Sequence, residues 1–206
     1  MPVRLIALLA CLVSLAAPAG AAATKPRPMA GDGILIIRRP PIRLPGEPLT
    51  FPVYREPGVE RIADLDISDL PQLAPAVRVG AGEAVAATVA RRGDWLKIVY
   101  DDAGREGWVK PERIWFHDRW EDFLKGQTVR LLPGLKKGYY SLRREPAQNA
   151  PELDNLARRK YIRVIQVQGD WALVIVDLAE SGWLRWRDED RRFLIAVEVP
   201  SSPQKR

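Results

Sequence analysis

The 206-residue chain carries 32 lysines and arginines against 26 aspartates and glutamates, with a single histidine and a single cysteine. These counts exclude an internal disulfide and make a zinc site built from several His or Cys ligands a poor fit. The net charge of +6 is modest and mixed in sign along the chain, which marks an arginine-rich soluble surface and not a nucleic-acid-binding stripe.

The N-terminus, "MPVRLIALLACLVSLAAPAGAAATKPRP", places Arg4 before an apolar run from Leu5 to Ala17, then Pro18-Ala19-Gly20 and a string of small residues. This is the layout of a secretory signal peptide over 1–23, with Ala-x-Ala-type cleavage ending at Ala21 or Ala23. The run is too short to span a bilayer comfortably, so no transmembrane segment is expected once it is removed. "LLAC" at Leu8 to Cys11 has the form of a lipoprotein box, but too few apolar residues precede the cysteine and too many follow it. A periplasmic or otherwise exported protein is expected. Cys11 leaves with the signal, so stability must come from packing alone.

Residues 24–50 form a lead-in with one candidate strand, "ILII" at 34–37, a continuous apolar run suited to burial. Five prolines follow between Pro40 and Pro52 and favour an extended, stiff connector. Pro45 to Pro48 is formally a PxxP, a weak pattern. "DWLKIVY" then alternates, with Leu96, Ile98 and Tyr100 on one face and Trp95, Lys97 and Val99 on the other. "DDAGREG" is a turn and "GWVK" resumes an extended segment, which together read as a β-hairpin. Residues 117–136 are read as a linker, with a helical turn in "HDRWEDFLKG" and His117 as a surface residue. "PELDNLA" (151–157) reads as a second short helix. "KYIRVIQVQ", "DWALVIVD" and "GWLRW" give three further strands, and "PSSPQKR" (200–206) reads as a frayed tail.

Three landmarks recur in order. "YREP" at Tyr54–Pro57 is echoed by "RREP" at Arg143–Pro146, "GDW" at Gly93 by "GDW" at Gly169, and "GW" at Gly107 by "GW" at Gly182. The first copy is longer between REP and GDW, and "ADLDISDLPQLAPAVRVG" (63–80) is the expected loop insertion. Gly107 and Gly182 are expected where a strand twists or bulges, and Gly93 and Gly169 where the chain turns with positive φ. Short strands with Gly and Asp punctuation point to a small barrel, in which closure removes open edges. In the second copy Trp171, Leu173 and Ile175 oppose Ala172, Val174 and Val176, so both strand faces are apolar. That pattern predicts burial on both sides, against the first copy, "ILII" or a partner.

The pair "GDWLKIV…GREGWV" and "GDWALVIV…ESGW", with the start "FPVYREPG" at Phe51–Gly58, resembles the core of bacterial Src-homology-3-like (SH3-like) domains of the cell envelope. The resemblance covers roughly 51–116 and 137–197. The second copy departs from it by lacking the glycine after REP and by having "GWL" for "GWV". The resemblance implies an all-β chain of two small SH3-like barrels, 51–116 and 137–199, docked rigidly. It also implies a non-catalytic binding module for peptidoglycan, through its peptide stems, or for an envelope protein. The alternative is a scaffold subunit of an envelope complex that uses the apolar face of the second barrel without binding the wall. The expected ligand-binding residues are Tyr54, Trp95, Lys97, Trp108, Trp171, Trp183 and Arg185, since mixed aromatic and charged faces suit peptides or glycans. The tryptophans read equally as barrel-end core, each burying about 150–250 Å².

Catalysis is not expected. No cysteine nucleophile survives cleavage. His117 stands in the presumed linker, and no G-x-S-x-G elbow surrounds Ser68, Ser141 or Ser181. The carboxylate clusters "DLDISD" and "RDEDRR" read as solvated turns. No phosphate-binding glycine loop is present, and neither a cofactor nor a metal is expected.

Overall fold

The computed structural model describes residues 27–40, 48–156 and 161–199. The expected signal peptide at 1–23, the expected tail at 200–206 and most of the PxxP lie outside the described residues. Two sheets are built from β1 (Gly33–Arg38), β2 (Thr50–Glu56), β3 (Val59–Asp66), β4 (Val77–Arg78), β5 (Glu83–Arg92), β6 (Trp95–Val99), β7 (Glu106–Val109), β8 (Phe116–Arg119), β9 (Thr128–Leu131), β10 (Ser141–Arg143), β11 (Glu152–Asn155), β12 (Ile162–Gln168), β13 (Trp171–Val176), β14 (Glu180–Arg185) and β15 (Ile195–Glu198). One four-residue helix, α1 (Trp120–Phe123), interrupts them, together with two short 3-10 turns at Ile67–Asp69 and Lys137–Tyr140. The chain is all-β. No helix among the described residues is long and apolar enough to cross a membrane.

The first sheet runs β3-β2-β7-β6-β5-β1-β8 and the second β11-β10-β14-β13-β12-β9-β15-β4. With β4 set aside, the second order repeats the first, strand for strand. The repeat therefore has seven strands per unit and reaches beyond the landmarks read from the sequence. β1, in the lead-in, is matched by β9, and β8 by β15. Residues 117–136 are correspondingly structured: they contain most of β8, the expected helical turn as α1, and β9. β5 and β12 even share an irregularity, a bulge after Thr88 in one and after Val164 in the other.

Several local expectations change. "PELDNLA" is not helical: Glu152–Asn155 is strand β11, paired with β10, and the amide of buried Leu156 donates to the Tyr140 carbonyl. A helix so short cannot offset its nucleation cost, whereas a neighbouring strand supplies partners at once. The 63–80 insertion is not a loop throughout. It finishes β3, turns at Ile67–Asp69, and contributes β4, which crosses to the other sheet and runs parallel to β15. In neither sheet are the two outermost strands paired with each other, so each sheet is open. At the second, the outer edge of β15 is occupied by β4.

The glycines ahead of the second tryptophan of each hairpin serve close approach. A Cβ on Gly107 would collide with the Val53 side chain of β2, and one on Gly182 would lie 2.7 Å from Leu142 Cγ and 2.9 Å from the Arg143 carbonyl oxygen of β10. Gly93 and Gly169, at φ +58° and +56°, make the tight turns into β6 and β13.

"ILII" is buried on both sides. Leu35 and Ile37 join Phe51, Val53, Leu96, Ile98, Val109 and Trp115 in the core of the first unit. Ile34 and Ile36 point the other way and belong to the core of the second unit, with Val129, Ile162, Val164, Ala172, Val174 and Leu184. Aromatics close this shared core. The Trp120 ring meets Phe193 edge-on at 5.1 Å and Trp186 at 5.9 Å, and its indole N–H donates to the Ala30 carbonyl at 2.6 Å. Arg187 donates to the Gly31 carbonyl, and Arg27 pairs with Asp188. The two units are thus joined by a continuous apolar interior with a polar rim.

Candidate functional site

Alternation along β6 sends Leu96 and Ile98 into the core and leaves Trp95, Lys97 and Val99 half-buried on the opposite face. Register then assembles a surface around them. Lys97 lies opposite Trp108 on β7, and Trp108 lies opposite Tyr54 on β2. The Tyr54 and Trp95 rings meet edge to face at 5.3 Å and 85°. Trp108 is 6% exposed, with the Arg92 guanidinium 5.3 Å from its ring centre, and Arg92 is itself held by Glu56 at 2.9 Å. Lys97 pairs with Glu106 at 2.8 Å. Tyr54, Trp95, Lys97 and Trp108 therefore form one face, with Trp108 as its floor and the half-buried Trp95 as its wall.

The second unit repeats the geometry with different chemistry. Leu173 stands opposite Trp183, where Lys97 stands opposite Trp108, and Arg143 takes the place of Tyr54. Ser181 occupies the position of Glu106. Trp171 lies opposite Arg185, whose guanidinium is 5.7 Å from the ring centre and pairs with Glu189. The Tyr139 hydroxyl donates to Glu189 at 2.7 Å. That hydrogen bond, with Arg185 beside it, holds the Glu189 carboxyl down at about 2, and burial with the same acceptor pushes the Tyr139 hydroxyl up to about 12. Trp171, Trp183 and Arg185 thus share a second face. It is a separate surface from the first.

Burial on both sides of β13 is not observed. Ala172, Val174 and Val176 are in the core, while Trp171, Leu173 and Ile175 stay half-exposed beside Ile165, which is 38% exposed. The first unit docks on the core side, through Ile34 and Ile36, and the other face stays partly exposed. Arg92, Glu56, Arg143 and Glu189 were missed in the sequence. Each reaches its face from another strand or turn, and only strand register reveals that.

His117 is not a linker residue: it lies on β8, with Nε2 3.5 Å from Thr88 Oγ1. Burial, with Arg91 nearby, lowers its pKa, and Asp118 opposes the shift. Among the described residues no group of three or more His, Cys, Asp or Glu is arranged to hold a metal ion. A cleft of about 510 Å³ lined by Leu73, Ala87, Leu132, Pro133 and Arg27 lies where the two units meet and contains none of the expected site residues. Comparison with protein-family models, curated proteins and solved structures finds no match.

Proposed function

We propose that the chain is an exported, non-catalytic binding protein made of two SH3-like units, and that the hairpin face of the first unit takes peptide stems of peptidoglycan. The reading rests on one observation above the others: Tyr54, Trp95 and Lys97 surround a tryptophan floor that Arg92 covers from the side. Aromatic rings grip the apolar parts of a stem peptide, while Lys97 and Arg92 meet its carboxylates. The seven-strand order repeated in both halves supports a duplicated small β module, and the N-terminal sequence supports export. Co-sedimentation with purified sacculi at low and raised salt tests the proposal. The protein is expected to pellet, and Tyr54→Ala with Trp95→Ala to weaken binding about tenfold, as loss of an aromatic contact of about 1.4 kcal/mol requires. Absence from the pellet at both salts rejects it.

The second reading, a scaffold subunit of an envelope assembly, is favoured by the partly exposed Trp171, Leu173 and Ile175. It is supported if the wild-type chain does not pellet with sacculi and a folded Leu173→Asp variant no longer co-purifies with an envelope partner.

A further inference from the structure

The units differ at one sheet edge. In the second, β15 is covered by β4: the Val197 amide donates to the Ala76 carbonyl and the Val199 amide to the Arg78 carbonyl, each at 2.8 Å, with Arg78 3.9 Å from Glu198. The matching strand of the first unit, β8, pairs among the described residues with β1 alone. Far fewer residues separate β11 from β12 than separate β3 from β5, and among the described residues the second unit gives no strand in return.

Register makes the two edges equivalent residue by residue. Counted from the shared bulges, Ala86 matches Ile162, so their partners Leu35 and Val129 match. One strand further out, His117 matches Val197, Asp118 matches Glu198 and Arg119 matches Val199. The Trp120 amide donates to the Asp32 carbonyl. Antiparallel pairs alternate between bonded and non-bonded. Phe116 and Asp118 therefore bond to β1, while His117 and Arg119 turn their backbone groups outward, as Val197 and Val199 do. Asp118 Oδ1 accepts from the Arg119 amide at 2.9 Å, and the His117 amide faces the open edge. Phe116, 39% exposed, lies beside it.

The geometry points to the outer edge of β8 as a docking site for an extended segment of another polypeptide, added parallel to the strand with a basic side chain opposite Asp118. The chemistry of this occupant follows from the segment that fills the equivalent edge, Ala76-Val77-Arg78-Val79: free of proline, alternating apolar with basic. Asp118 stands where Glu198 meets Arg78, so the same charge pairing is on offer. Stretches of this chain outside the described residues fit poorly. Residues 41–47 and 200–206 contain prolines, which cannot donate to a ladder, 5–23 has no basic side chain, and 157–160, Ala-Arg-Arg-Lys, lacks the apolar–basic alternation. The edge is separate from both hairpin faces, so it holds whatever those faces bind.

Titration of the full nitrogen-15-labelled chain with the peptide Pro-Ala-Val-Arg-Val-Gly, the sequence of 75–80, tests the assignment. Saturable shifts of the His117 and Arg119 amides are expected, with about fivefold weaker binding when Glu replaces Arg in the peptide. His117→Pro removes an outward N–H and no bond to β1, and abolishes the shifts. Should that variant fail to fold, the Glu peptide on the wild-type chain carries the test. Four outcomes overturn the assignment: no shifts at β8, shifts confined to β4 and β15, equal binding of both peptides, or His117 shifts on concentrating the protein alone, which make a second copy the occupant.

Discussion

The two units share a strand order, a bulge and a pair of obligatory glycines, yet their outward faces differ at a few positions. Where the first unit has Lys97 paired with Glu106, the second has Leu173 and Ser181. Where Tyr54 flanks the tryptophan floor in the first, Arg143 does so in the second. The inward residues that hold each sheet together are apolar in both. Packing constrains the side of a strand that meets the core, and it leaves the other side free to take on a new task. The comparison also separates the edges: β15 is covered, β8 is bare.

The largest effect is expected at the joint between the units. Trp120→Ala removes a ring packed on Trp186 and Phe193 and a buried hydrogen bond, and should cost about 3–5 kcal/mol by urea denaturation. If the units are as interdependent as their shared core implies, the wild-type transition is single and the variant's splits in two. Two independent transitions in the wild type would break the comparison at its root.

Next come the paired glycines. Gly107→Ala and Gly182→Ala should each destabilise by about 1–3 kcal/mol, as overpacked sites do. Gly182→Ala should be the worse, because its new methyl meets the Arg143 carbonyl as well as a side chain, whereas Gly107 faces only the Val53 and Tyr100 side chains. Thermal unfolding of both variants ranks them.

Exchanging the faces sharpens the contrast at lower cost. Leu173→Lys with Ser181→Glu writes the first unit's ion pair onto the second. Both positions are outside the core, so stability should change by less than about 1 kcal/mol, while sacculus binding should rise if the first face is the wall-binding one.

The smallest effect is electrostatic. The Glu189 carboxyl lies at about 2 in the folded chain against an ordinary 4.5, so its contribution is complete above about pH 4.5 and is lost as pH falls toward 2. Tyr139→Phe removes the main cause. The variant should be less stable than wild type near neutrality and converge with it near pH 2, as urea midpoints at the two extremes would show.

The hairpins β6–β7 and β13–β14 were legible because GDW and GW fix both ends of each, and "ILII" was legible as a buried strand because nothing polar interrupts it. Its equivalence to β9 was not, since Gly33–Arg38 and Thr128–Leu131 share no residue at a matching position. β4, two residues long, has no periodicity to detect and exists only because β15 is there to pair with it. Half of each candidate face was visible, namely the tryptophans and Lys97 or Arg185. The rest comes from residues that no landmark marks: Glu56, which meets Arg92 across the sheet, Arg143, which register sets opposite Trp183, and Glu189, which Tyr139 and Arg185 hold.

The crossing of β4 to β15 has a consequence for how the polypeptide is finished. Val77 and Val197 lie 120 residues apart in the sequence, so this ladder cannot form until β15 has been made. A ribosome that stops short of residue 195 releases a product whose Val77 and Arg78 have nothing to lie against. A strand of the first unit thus waits on the synthesis of the second, and a protease that cuts unpaired backbone would find products that stop short of β15.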